Sequence, residues 1–205
     1  MRVPIGAASR LGRGPAAIQC LTKGRFDTRL VDMAEARSPR DFFYGFLGLI
    51  ERGHDARFQQ TDGAYDGLAG KMVHGHERFL SRLTGLSRRA HVLKELEPDW
   101  RGSQVMISFT DHFSLTLGDV MRRKRQHPLA IGLFHGLSDI ENRMPGLGRV
   151  LSGGYVARAL KGLDHVGFFG PGDRDEAIRR YGLNPERTSV YPFGFDTEFW
   201  CPGDE

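Results

Sequence analysis

Four short β-favouring segments, each tied to a helical one, most constrain what this chain can become. Gln104–Phe109, Leu129–Phe134, His165–Phe169 and Ser189–Tyr191 carry the strand signal. Between them, Phe113, Leu117, Val120 and Met121 fall at the spacing of an amphipathic helix, as do Ala177, Ile178 and Tyr181. Strands that alternate with helices build right-handed βαβ units. The sequence therefore predicts an α/β, Rossmann-like, three-layer α/β/α domain with a mainly parallel sheet. Fold class alone does not fix function.

Composition admits this and removes other classes. At 205 residues, 40% hydrophobic and 26% charged, the chain can bury a substantial core. No apolar run reaches the roughly 20 residues of a membrane-crossing helix. Cys20 and Cys201 lie far apart without metal-type spacing, so a reducing cytoplasm is the default. A net charge of +4 leaves room for an anionic partner. The chain has no Walker A loop, no Gly-x-Gly-x-x-Gly, no Gly-x-Ser-x-Gly and no His-Glu-x-x-His, which removes sequence support for P-loop, dinucleotide, hydrolase-elbow and zincin chemistry.

Residues 1–28 are basic, contain no acid before Asp27 and have poor apolar periodicity. They read as an N-terminal extension, whether a transit peptide, a disordered arm or a start assigned too early, with the domain proper at 29–195. Arg29–Ala34 is the expected first strand. Ser38 then caps a helix with Pro39 at its first position, and Phe42 to Ile50 bury it. The free N–H groups of that helix start, capped by Ser38 and helped by Arg37 or Arg40, form a candidate anion site; the alternative is a solvated first turn. Gly53-His54 ends the helix before a second strand at 56–60.

Residues 66–97 read as helical with a break near Gly85. Met72, His76, Phe79, Leu80, Leu83 and Leu86 are the expected inward stripe, and Lys71, Arg78, Arg82, Arg88 and Arg89 give the other face its basic character. Such a helix either lies over the core with a solvated face or rests on an anionic membrane. Thr110-Asp111 reads as the cap of the helix that follows. Arg122–Arg125 suits a helix C-terminus, where the macrodipole favours cations, better than a nucleic-acid site, since no aromatic or repeated basic motif accompanies it.

His135-Gly136 follows the strand Leu129–Phe134 directly. Ligands of open parallel sheets bind at the carboxyl ends of strands, so His135 sits where an imidazole can meet substrate and Gly136 lets backbone approach. Further on, a helix over 144–163 is expected to break near Gly153-Gly154. Asp173 with Glu176 suggests a capping box.

The chain closes on Tyr181-Gly182, Pro185-Glu186-Arg187, Val190, Pro192, Gly194, Asp196, Phe199 and Pro202. About ten identities across some twenty positions resemble the segment that joins the two domains of GT-B glycosyltransferases of the family 4 type. Glu51-Arg52-Gly53-His54 and His135-Gly136 are similar to weaker marks of the same family, although the Gly-Gly pair usual before its first helix is absent from Glu35–Asp41. The resemblance implies sugar transfer from a nucleotide-sugar donor to a glycan, lipid or small-molecule acceptor, with no cofactor or obligatory metal. It implies a catalytic role for His135 and substrate contacts from Ser38, Arg40, Gly136 and Asp139. It also implies that 196–205 begin an interdomain linker and that a further donor-binding domain or chain supplies most donor contacts. The 205 residues alone are then expected to turn over little. The competing expectation is a non-catalytic binding or membrane-docking module, or one subunit of a split enzyme.

Overall fold

The computed structural model describes residues 16–22, 45–59, 67–84, 86, 89–137, 146–191 and 194. Six strands form one sheet: β1 (Ala17–Leu21), β2 (Asp55–Gln59), β3 (Val105–Ser108), β4 (Leu129–Phe134), β5 (His165–Phe168) and β6 (Thr188–Val190). Their spatial order is β2-β1-β3-β4-β5-β6 and every pairing is parallel. Helices α1 (Phe46–Glu51), α2 (Gly67–Thr84), α3 (Ala90–Glu95), α4 (Glu97–Trp100), α5 (Asp111–Met121), α6 (Gly146–Lys161) and α7 (Pro171–Tyr181) connect them, with a 3-10 turn at Pro185–Arg187.

The two-residue period of a strand divides the sheet into two cores. On one face Leu21, Met106, Ala130, Phe134, Val166 and Phe168 pack with residues of α3, α5, α6 and α7. On the other, Ile18, Cys20, Val105 and Leu129 pack with Phe46 of α1. This is the expected three-layer arrangement. The single step toward β2 sends its helix to one side, while the opposite march from β2 through β6 sends the rest to the other, as right-handed crossovers require. Helices α5 and α6 meet backbone to backbone: a Cβ on Gly118 would collide with Ala159 O, and one on Gly162 would collide with Gly118 O.

Several expectations change. The chain enters the sheet at β1, inside residues expected to be an extension, and Cys20 and Leu21 are fully buried there. A strand central to a parallel sheet is covered on both faces and needs no alternation, so Ala-Ile-Gln-Cys-Leu qualifies although it is not periodic. The strand expected at 29–34, the helix start at Ser38-Pro39 and the linker at 196–205 lie outside the described residues. Gly45 is not inside the helix but precedes it, with φ 84°. Helix α6 runs unbroken through Gly153-Gly154. Helix α7 begins at Pro171 with Gly170 as its cap and no side-chain capping bond, so Asp173 serves as a first-turn acid.

The expected inward stripe on α2 largely faces outward. Met72 is 70% exposed and Phe79 60%, and Leu68 joins them at 79%, whereas Gly70 is buried. Periodicity reveals that a helix has an apolar face but not which side the rest of the molecule occupies.

Candidate functional site at the carboxyl edge of the sheet

Chain order brings the ends of β3, β4, β5 and β6 to one edge; His135, Phe169 and Tyr191 directly follow their strands, and Asp111 stands three residues past Ser108 at the start of α5. Asp111 opens α5 and reaches sideways to the neighbouring strand end. Its Oδ1 accepts the backbone N–H of His135 at 2.9 Å and that of Gly136 at 3.4 Å. Ser114, one turn along α5, adds a second tie, its hydroxyl lying 3.0 Å from Leu133 O and 3.3 Å from Ser108 O. Thr110 occupies the cap position in an extended conformation but makes no side-chain capping bond. The expected Thr-Asp cap is therefore a cross-strand clamp on the His-Gly turn.

The rings form a series. The imidazole of His135 stacks on Phe169 with centroids 4.1 Å apart and planes 14° apart. Phe169 meets the edge of Tyr191 at 4.7 Å and 73°. Gly167 makes room beneath, because a Cβ there would press on Leu133 and the Tyr191 ring. Burial pulls the His135 pKa below the usual imidazole value of 6.5, and the Asp111 carboxylate partly opposes that pull. The half-buried imidazole is thus held neutral near pH 7, able to accept a proton or hydrogen bond at one nitrogen and donate at the other. The Asp111 carboxylate, engaged with backbone amides, anchors the turn. Offset aromatic stacking of this kind fixes ring orientation as well as position.

Of the residues expected at the site, His135 and Gly136 stand together on this edge. Ser38, Arg40 and Asp139 lie outside the described residues. Asp111, Phe169 and Tyr191 were legible only as a cap, a strand end and a strand member. The signal that could have found them is positional, since each follows a strand at the carboxyl edge, where open sheets bind ligands. Among the described residues, no cluster of His, Cys, Asp and Glu is placed to hold a metal ion.

The basic tract after α5 lies elsewhere and is largely engaged. Arg122 and Arg123 pair with Asp119, and Lys124 pairs with Glu97 at 2.6 Å while lying over the Trp100 ring. Among the described residues, no helix is long and apolar enough to cross a membrane. No family model, curated protein or solved structure matches this chain.

Proposed function

We propose that this chain is the acceptor-side domain of a glycosyltransferase resembling the GT-B, family 4 type, acting in the transfer of a sugar from a nucleotide-activated donor. The observation that carries the reading is a junction. The closing segment, which bears the densest resemblance, ends its strand at Val190, and the next residue, Tyr191, reaches through Phe169 to His135. The resembling segment thus reaches the His135 mark through Tyr191, the residue between its Val190 and Pro192, in a single ring series at the sheet edge where ligands bind.

The chemistry suits the arrangement. Transfer breaks the bond between the sugar's anomeric carbon and the donor phosphate oxygen and forms one from that carbon to an acceptor oxygen. The diphosphate departs with the bonding electrons and takes up, directly or through a base, the proton that the acceptor hydroxyl gives up. A neutral imidazole held flat against Phe169 can orient the sugar by donating a hydrogen bond or accept one from the acceptor hydroxyl. Stabilising the departing diphosphate is an electrostatic task for cationic or N–H donors. In the family resembled, a second domain supplies most of them.

The test is saturation-transfer NMR on the 205-residue protein with a panel of nucleotide sugars and sugar, lipid-headgroup and small-molecule acceptors. At least one ligand should receive saturation, and His135→Ala should remove it while the variant keeps the circular dichroism spectrum and cooperative unfolding of a folded protein. If the panel shows no engagement, or engagement indifferent to His135→Ala, this reading is wrong.

A further inference from the structure

The face of α2 that points away from the molecule combines two properties seldom left together on a surface. Leu68, Met72 and Phe79 are 79%, 70% and 60% exposed. They follow one another at i, i+4 and i+11, which on a 3.6-residue helix places them along one line about 16 Å long. Lys71, Arg78 and Arg82 occupy the adjacent line, at i, i+7 and i+11, and all three are exposed. The helix has one acid, Glu77, which points elsewhere: its Oε1 accepts the backbone N–H of His91 at the start of α3, across the packed side. Among the described residues, the outward face is therefore apolar along its centre, cationic along its flank and free of negative charge.

We infer that this face docks on an anionic lipid bilayer surface. The occupant follows from the geometry and charge. A second copy of the chain would meet the same cations, and a strip three side chains long falls well short of the roughly 800 Å² per partner typical of stable protein interfaces. A nucleic acid would set its phosphates against the apolar line and gain nothing from it. An anionic bilayer satisfies both lines at once: the apolar side chains enter the boundary between headgroups and acyl chains, and the flanking cations remain among lipid phosphates. The inference is independent of the sugar-transfer reading.

Vesicle flotation with the full chain tests it. The protein should float with phosphatidylcholine vesicles carrying about 30% phosphatidylglycerol and not with phosphatidylcholine alone, and raised salt should release it. Neutralising one cation, as in Arg78→Gln, should weaken binding about five-fold, and neutralising Lys71, Arg78 and Arg82 together about a hundred-fold. The triple variant Leu68→Ser, Met72→Ser, Phe79→Ser should lose vesicle binding while keeping its circular dichroism and melting temperature. If that variant misfolds, Leu68→Ser alone, at the most exposed position, should still weaken binding several-fold. Failure of the folded protein to bind anionic vesicles, equal binding to neutral ones, or binding unaffected by the apolar substitutions would each overturn the inference. So would a concentration-dependent dimer in light scattering that the apolar substitutions dissolve, because the face would then belong to self-association.

Discussion

Asp111, the first residue of one helix, holds His135, the first residue beyond the neighbouring strand, through its backbone N–H at 2.9 Å. The carboxylate thereby fixes the turn on which the imidazole stands and also biases the charge of that imidazole. The two effects separate experimentally.

Asp111→Ala removes an acceptor from two amides and a favourable first-turn charge. The expected loss is about 1–3 kcal/mol, read as a lowered midpoint in chemical denaturation. Asp111→Asn keeps one oxygen as acceptor and should cost less.

NMR titration of the imidazoles checks the electrostatics. His135 should titrate below 6.5 because burial disfavours its charged form, and Asp111→Asn should lower it further by removing the opposing charge. His165 is also held below its usual value, by burial first and by Arg187 second. A depressed imidazole pKa means that the unfolded chain takes up the proton first as pH falls. Both histidines therefore contribute stability that is full above about pH 6.5 and is lost as pH drops through their folded values. Melting temperature should decline over that window, and less so in His135→Ala.

The close crossing of α5 and α6 predicts opposite outcomes for two glycines. Gly118→Ala drives a methyl into the Ala159 carbonyl, which no rotamer can relieve, and should cost at least the about 1–3 kcal/mol usual for overpacking. Gly153→Ala, with open space around its Cβ inside α6, should instead gain about 0.5–1 kcal/mol. Equal effects from the two would contradict the packing described.

Cys20 is fully buried, and desolvation pushes its thiol pKa up to about 12. In a Cys201→Ser background, folded protein at pH 8 should resist iodoacetamide, and one equivalent should react only on unfolding in guanidinium.

Much of the sheet was legible in the chain because its later strands announce themselves. Leu129–Phe134 is both the predicted and the observed β4, the apolar run at 104–109 exceeds β3 by one residue at each end, and that at 165–169 exceeds β5 by one residue at its end. The closing turn was legible too. Gly182 takes the left-handed conformation at φ 61°, and the Asn184 side chain accepts Glu186 N–H to start the 3-10 turn. What escaped was relational. Nothing local in Ala17–Leu21 says that a strand near Gly- and Arg-rich residues will sit between two others. The stripe on α2 has the right period and the wrong direction. Asp111 resembles a helix cap until the neighbouring strand places two amides beside it.

The place of β1 in the sheet has a consequence for how the molecule assembles. Its partner Val105 lies roughly ninety positions beyond Ile18, whereas Val105 and its other neighbour Leu129 are separated by roughly two dozen. During synthesis at about 5–20 residues per second, the strand made first waits on the order of 5–20 s before its site exists. The β3–α5–β4 unit can form meanwhile from its own contacts. The oldest part of the sheet in time is thus among the last to be completed: β2 can cover one edge of β1 early, and the edge that receives β3 must survive the longer interval open.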